Sequence, residues 1–180
     1  MERVTAHLRM KLAAIEGSDV KRECLSLVPD RETGKSFITD DEGRYWRMFV
    51  FIPDHRSYER VDSRHKAFEG GRIIGRFQAL LADLPGKPLH ETIPHFHDIS
   101  RRLETFHSVI ERDPAGRADS VRDQIEEIVS REEEMKTILR LGAEGKIPLR
   151  ITHNDTKFNN ILFDNNDRAL LLIDLDTVMP

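Results

Sequence analysis

The hydrophobic pattern of the chain changes its period once, just after Pro53, and this change limits the folds that the sequence can adopt. Before it, residues 35–39 and 45–52 are rich in β-forming side chains and flank a turn sequence at residues 40–43, which predicts a β-hairpin. Pro53 lacks a backbone N–H and therefore ends the second strand. Beyond it, apolar residues recur every three or four positions, which is the period of a helix.

Three apolar stripes at helical spacing follow this change. They predict helices over residues 67–84, 99–110 and 121–139, and Pro or Gly residues separate the three from one another. The first stripe is the most regular, and we expect its apolar side chains to lie in the core rather than at a partner site.

Both ends of the chain predict further short elements. Residues 1–15 predict a helix that a glycine ends, and residues 20–28 alternate in part and predict a strand. Residues 160–163 and 169–174 predict two strands joined by a β-turn at residues 164–167. The order is therefore a β-rich segment, three helices, and a loop with a small hairpin, so the predicted class is α/β, of the α+β kind.

Composition argues against several classes of protein. The 180 residues include 28 Lys and Arg against 32 Asp and Glu, a net charge of −4, so no nucleic-acid partner is expected. The longest apolar run, residues 169–173, is far too short to span a bilayer, so no membrane partner is expected either. Cys24 is the only cysteine, which excludes an intrachain disulfide and fits a reducing compartment. Because the N-terminus has no apolar signal segment, the predicted location is the cytoplasm.

A polar loop between short apolar segments carries the residues with chemical potential. His153, Asp155 and Asn160 lie in this loop, and the predicted hairpin returns Asp174 and Asp176 towards it. A tight hairpin lets Asn160 and Asp174 converge on one point. An amide oxygen with one or two carboxylates is a ligand set that suits Mg²⁺, which also keeps waters and shares phosphate oxygens. Asp155 would then lie beside the ion, free to accept a proton from a hydroxyl group.

The spacing His153-x-Asp155-x-x-x-x-Asn160, followed by Asp174 on the next hairpin, is that of the catalytic loop of kinases. Lys157 matches the position that a protein kinase uses to approach the transferred phosphate. The residues after Asp174 are Leu and Asp rather than Phe and Gly, which disfavours a protein kinase. The Ile-Asp-x-Asp sequence instead resembles the aminoglycoside phosphotransferase and choline kinase family of small-molecule kinases, and its N-acetylhexosamine 1-kinase branch is the most similar.

This resemblance implies an incomplete two-lobe, protein-kinase-like fold: the end of an N-lobe sheet and a mainly helical C-lobe that carries the catalytic-loop hairpin. Residues 1–57 would be the C-terminal part of the N-lobe and the hinge, and residues 58–180 a partial C-lobe. The family's Gly-rich strands, its ATP-binding Lys and its C-terminal helices are not recognised in the sequence, so the chain is expected to be truncated at both ends. Uncovered apolar surface would then favour self-association.

The resemblance also implies cofactors and roles, with ATP and Mg²⁺ as the expected cofactors. Asp155 would orient and deprotonate the acceptor hydroxyl, and Lys157 would neutralise charge on the transferred group, whereas His153 would brace the loop. Backbone groups around Phe51 and Ile52 would meet the adenine ring. The metal-binding residues would be Asn160, Asp174 and Asp176.

The implied substrate is a small hydroxylated metabolite, and by the branch resemblance an N-acetylhexosamine sugar phosphorylated at its anomeric hydroxyl. An aminoglycoside, choline or homoserine are the alternative acceptors within the same family. A non-catalytic fragment of such a kinase is the alternative from a different class.

Overall fold

The computed structural model describes residues 1–180 and contains both helices and small antiparallel sheets, which confirms the predicted α/β class. The helices are α1 (Glu2–Ala13), α2 (Val20–Glu23), α3 (Arg64–Leu81), α4 (Ile99–Arg112), α5 (Arg122–Ser130), α6 (Glu132–Met135) and α7 (Thr137–Ala143). The strands are β1 (Leu27–Val28), β2 (Ile38–Thr39), β3 (Tyr45–Trp46), β4 (Met48–Phe49), β5 (Ile161–Phe163) and β6 (Ala169–Leu172).

The chain divides into two compact units. One unit comprises residues 1–92 and 150–180, and the other comprises residues 93–149. The lobe boundary between residues 57 and 58 stays a prediction. No helix of the chain combines the length and the apolar character that crossing a membrane requires.

The N-terminal helix forms as predicted, and it buries a face of residues four positions apart, Val4, Leu8 and Leu12. The strand predicted over residues 20–28 is wrong over its first half. There the carboxylate of Asp19 accepts the backbone N–H of Lys21 and caps a helical turn, α2. This cap satisfies the backbone N–H of Lys21 within a helical turn, so within the predicted strand only residues 27–28 form one, β1.

The predicted hairpin is present but short. Ile38 pairs with Trp46 and Thr39 with Tyr45, while the carboxylate of Asp40 accepts N–H groups from within the turn. β1 pairs separately with β4 in an antiparallel arrangement. Large apolar side chains of this region are exposed, Trp46 among them at 53%. Self-association through such surface stays a prediction.

Helix α3 begins at a side-chain cap, in which Ser63 accepts the N–H of Lys66. Phe77 and Leu81 of the predicted stripe are buried, but Ala67 is exposed, so its predicted place in the core is wrong. Two charged side chains, Lys66 and Glu69, are buried instead, and a count of apolar residues cannot detect them. The buried residues of α3 are Lys66, Glu69, Gly70, Ile73, Phe77 and Leu81.

The second unit contains α4 to α7. Asp98 caps α4 by accepting the N–H groups of Ser100 and Arg101, and α4 ends at Asp113, which adopts a left-handed conformation with φ of 34°. The single helix predicted over residues 121–139 is wrong, because three short helices occupy this stretch. The first break falls at Arg131, and the three consecutive Glu residues after it form the first turn of α6, where negative charge stabilises the start of a new helix.

The C-terminal hairpin is the centre of the first unit's core. Ile161 pairs with Leu172 and Leu162 with Leu171, all four with 7% exposure or less. Residues 164–167 form the predicted β-turn, in which the N–H of Asp167 donates to the carbonyl of Asp164. β6 packs against α3, so this helix supports the element that carries the polar loop.

Candidate active site

His153 fixes the start of the polar loop from inside the core, where it is 1% exposed. The backbone N–H of Asp155 donates to its Nδ1 atom at 3.3 Å, so Nε2 carries the ring proton and donates to the carbonyl of Ile173 at 2.8 Å. The ring of Phe77 packs edge-on against the imidazole, with 5.8 Å between centroids. His153 therefore ties the loop to the residue that precedes Asp174.

Two backbone positions of the site adopt left-handed conformations, Asn154 with φ of 62° and Asp174 with φ of 61°. Such conformations are uncommon for residues other than glycine and persist only when the surroundings hold them. At Asn154 the side-chain amide donates to the carbonyls of Thr177 at 3.1 Å and Met179 at 3.2 Å. The hydroxyl of Thr177 donates to the carbonyl of His153 at 2.6 Å. The loop and the segment after β6 are thus joined by a continuous set of hydrogen bonds.

Asn160 is held between the loop and the hairpin and is 5% exposed. Its Nδ2 atom donates to the carbonyl oxygen of Asp155 at 2.9 Å and to the carboxylate Oδ2 of the same residue at 3.0 Å. Its backbone carbonyl accepts the N–H of Ile173 at 2.8 Å. Since the NH₂ group of the amide faces Asp155, the Oδ1 atom lies on the opposite side of the amide group.

The ammonium of Lys157 lies between two carboxylates. Its Nζ atom is 2.9 Å from Oδ2 of Asp155 and 3.9 Å from Oδ2 of Asp174. The hydrogen bond from Lys157 holds the pKa of the Asp155 carboxyl below its ordinary value, and the same bond raises the pKa of Lys157. At neutral pH the site therefore contains an ionised Asp155 and a cationic Lys157.

The donor set of the site fits a magnesium ion. No three or more His, Cys, Asp or Glu side chains of residues 1–180 form a metal-binding group, so a site made only of such ligands is not formed. The available donors are the Oδ1 atom of Asn160 and the carboxylate of Asp174, whose side chain is 45% exposed. Mg²⁺ commonly takes one or two such oxygen ligands and completes its shell with water and substrate phosphates.

Asp176 lies in different surroundings from the other predicted site residues. Its carboxylate forms an ion pair with the guanidinium of Arg47, which lies between β3 and β4. Its backbone carbonyl accepts the hydroxyl of Thr92 at 2.9 Å. The structure therefore groups Asp155, Lys157, Asn160 and Asp174, and it pairs Asp176 with an Arg that the sequence did not single out.

A family model described as the phosphotransferase enzyme family matches residues 29–180, which include the whole polar loop and the C-terminal hairpin. The chain belongs to the phosphotransferase enzyme family. The prediction of a small-molecule kinase family is thereby confirmed at the level of the family, and the mixed helices and small sheets agree with part of a kinase-like fold.

In this member of the family the two predicted adenine contacts lie just after β4. Ile52 is 5% exposed, and its carbonyl accepts the Nδ1–H of His55 at 2.6 Å. Phe51 is 76% exposed, and its ring lies 5.6 Å from that of His55, centroid to centroid. His55 therefore occupies a backbone acceptor that the sequence predicted for the nucleotide.

Sequence reasoning missed the charged side chains of α3 that lie behind the hairpin. Lys66 places its Nζ atom 3.8 Å from the ring centroid of Tyr58 and 3.7 Å from a carboxylate oxygen of Asp167 in the hairpin turn. Glu69 and Arg72 contact the start of β6. The only signal in the sequence was that Lys66 and Glu69 lie at helical spacing from one another, next to the predicted stripe.

Proposed function

We propose that this chain carries the catalytic loop of an ATP- and Mg²⁺-dependent kinase that phosphorylates a hydroxyl of a small metabolite, an N-acetylhexosamine sugar, in the cytoplasm. The observation that carries the proposal is the grouping of Asp155, Lys157, Asn160 and Asp174 in a member of the phosphotransferase family. Phosphoryl transfer requires mainly positioning and charge neutralisation from the protein, and this group supplies both.

Asp155 is the proposed catalytic base. Lys157 and Asn160 both contact its Oδ2 atom, so Oδ1 is the atom that would accept a hydrogen bond from the acceptor hydroxyl. An ionised carboxylate held from two sides orients that hydroxyl and takes its proton as the new O–P bond forms, while the bond from the transferred phosphorus to the bridging oxygen of ATP breaks and ADP leaves. Lys157 would stabilise the negative charge of the group in transfer as a point charge beside Asp155.

Asn160 and Asp174 are the proposed metal ligands, and Asp176 is a third. When bound, Mg²⁺ would neutralise the charge of the ATP phosphates and bridge them to the protein. For Asp176 to take part, its ion pair with Arg47 must open. The backbone of Phe51 and Ile52 is proposed to meet adenine, which for the carbonyl of Ile52 requires His55 to leave its present bond.

The sugar acceptor rests on the sequence of the loop and of the β6 exit, which resembles the N-acetylhexosamine 1-kinase branch. An aminoglycoside, choline or homoserine would use the same catalytic group with a different acceptor pocket. Fold alone does not distinguish these substrates, because the acceptor is chosen by the side chains of the pocket.

Phosphate transfer from labelled ATP to a panel of acceptors tests the proposal on the 180-residue chain. The panel contains an N-acetylhexosamine, an aminoglycoside, choline and homoserine, each with and without Mg²⁺. We expect transfer to the sugar, abolished by Asp155→Asn while Mg-ATP binding is retained. Equal or better turnover of a non-sugar refutes the hexosamine assignment. Failure to bind Mg-ATP and to turn over any acceptor refutes the kinase proposal for this chain in favour of a non-catalytic fragment.

A further inference from the structure

Helix α3 carries an ion pair on its buried face that the proposed chemistry does not use. Arg72 donates from Nε to Oε1 of Glu69 at 2.9 Å, and its Nη2 atom contacts the second carboxylate oxygen. The Glu69 side chain is 8% exposed and that of Arg72 27%. Arg72 holds the pKa of Glu69 below its ordinary value, and Glu69 raises that of Arg72. Both groups are therefore charged, although charged groups are rarely buried without a specific partner.

The pair holds the backbone of one residue of the C-terminal hairpin, Ala169. The N–H of Ala169 donates to Oε2 of Glu69 at 2.8 Å, and the carbonyl of Ala169 accepts from Nη2 of Arg72 at 2.8 Å. Ala169 is 3% exposed, so its backbone groups need partners within the protein. Its neighbour across the hairpin, Phe163, exchanges its own N–H and carbonyl with Arg56 at 2.8 and 2.9 Å. The Glu69–Arg72 pair thus supplies Ala169 with the donor and the acceptor that another strand would supply.

Ala169 stands where the register of the hairpin shifts. Leu162 pairs with Leu171, but Phe163 pairs with Ala169, so Leu170 is an extra residue on β6. In a hairpin, a slip of one residue moves a strand by about 3.3 Å and turns its side chains to the other face. On the far side of the shift, the N–H of Ile173 donates to the carbonyl of Asn160 at 2.8 Å, next to Asp174.

We infer that Glu69 and Arg72 are positioning residues for the divalent cation of this enzyme. By holding Ala169 they fix the register of β5 and β6, and that register places Asp174 beside Asn160. The inference rests on the proposed function, because it concerns the metal ligands named there. Neither Glu69 nor Arg72 contacts the cation or the substrate, so their effect passes through the hairpin.

Arg72→Lys tests the inference, since the compact ammonium of Lys lacks the planar guanidinium geometry with which Arg72 bonds both carboxylate oxygens of Glu69 and the carbonyl of Ala169. The matched control is Arg76→Lys on the same helix. The Arg76 side chain is 24% exposed and pairs with Glu23 of α2 at 2.8 Å rather than with the hairpin. Hydrogen exchange of the Ile173 amide reports the register, and electron paramagnetic resonance with Mn²⁺ as the probe reports cation affinity. Urea unfolding of both variants corrects the exchange for global stability.

In Arg72→Lys we expect the corrected exchange of the Ile173 amide to rise at least about tenfold. We expect Mn²⁺ affinity to fall about 10- to 100-fold, as when a partner that orients metal ligands is removed. Arg76→Lys should change neither. If Arg72→Lys does not fold, Glu69→Gln is measured in its place. The Gln side chain keeps an oxygen that can accept the N–H of Ala169 but removes the negative charge that pairs with Arg72. Glu23→Gln, which removes the partner of Arg76, is then the control.

Equal effects of Arg72→Lys and Arg76→Lys on exchange or on Mn²⁺ affinity would overturn the inference. The Glu69–Arg72 pair would then only stabilise the core. The two measurements need no turnover, so their outcome is separate from that of the proposed function. Loss of Ile173 protection and of Mn²⁺ affinity in a chain that transfers no phosphate would support the positioning role and refute only the kinase activity.

Discussion

The ring of Phe158 lies 3.0 Å from the position that a Cβ atom would occupy on Gly70. Gly70 is buried on α3, and Phe158 belongs to the polar loop, between Lys157 and Asn160. Ile161 of β5 approaches the same position at 3.4 Å. The absence of a side chain at Gly70 therefore lets the polar loop pack directly on the helix that supports the hairpin.

Gly70→Ala is expected to lower the free energy of unfolding by up to about 2 kcal/mol, because overpacking against Phe158 costs about 1–3 kcal/mol and the better helix propensity of Ala offsets up to about 1 kcal/mol of it. Gly75→Ala on the same helix is the control, since nothing lies within 4 Å of its Cβ position. That change should raise helix stability, by up to about 1 kcal/mol. Urea unfolding of the two variants measures both effects. Equal stabilisation by both substitutions would show that the loop does not pack on Gly70 in solution.

The polar cluster around Asp155 was accessible to sequence reasoning because it depends on local structure. A short hairpin with a β-turn links Asn160 to Asp174, and the turn residues and apolar alternation that form it are contiguous in the sequence. Once the hairpin is inferred, the approach of Asn160, Asp174 and Asp155 follows from the geometry of antiparallel strands.

The contacts that sequence reasoning missed join residues far apart in the chain. The ion pair of Arg47 with Asp176 spans 129 positions, and the bond of Ala169 with Glu69 spans 100. Neither contact leaves a pattern in the local sequence, because each depends on how α3 and the small sheets pack. The same reason explains why Lys66 and Glu69 of α3 are buried while Ala67 is exposed.

Lys157→Met is expected to reduce kcat about 100- to 1,000-fold, because it removes the positive charge between Asp155 and Asp174. The urea midpoint should stay unchanged, since the Lys157 side chain is 51% exposed. Steady-state phosphate transfer, measured on whichever acceptor the panel identifies, gives kcat. Lys136→Met removes a partly exposed Lys of the second unit that pairs with Glu133, and it should leave kcat unchanged. A kcat for Lys157→Met within a factor of three of the unaltered chain would exclude Lys157 from the transfer step.

The Glu69–Arg72 pair predicts a specific dependence of stability on pH. Arg72 lowers the native pKa of Glu69, so the carboxylate contributes stability above its unfolded pKa of about 4.3 and loses that contribution as the pH falls through the lower native value. Glu69→Gln should therefore be less stable than the unaltered chain at pH 7, and the difference should shrink below about pH 4. Urea unfolding at pH 7, 5 and 3.5 measures this difference. A difference that stays constant over this range would mean that Glu69 has the same pKa in the folded and unfolded chains.

The thiol of Cys24 is expected to be inert in the folded protein. Cys24 is 2% exposed, its Sγ–H contacts the carbonyl of Leu25 at 3.4 Å, and burial raises the pKa of the thiol to about 11. At pH 8 only about one thiol in a thousand is then the reactive thiolate, and that thiolate is enclosed. Reaction with an aromatic disulfide reagent should be slow in buffer and should yield one thiol per chain in urea. A Cys24→Ala chain with Ser57→Cys, which places the thiol at an exposed position, is the control and should react at once. Rapid labelling of Cys24 in buffer would reveal local opening between α1 and α2, because Cys24 packs in the core cluster with Val4 and Leu8.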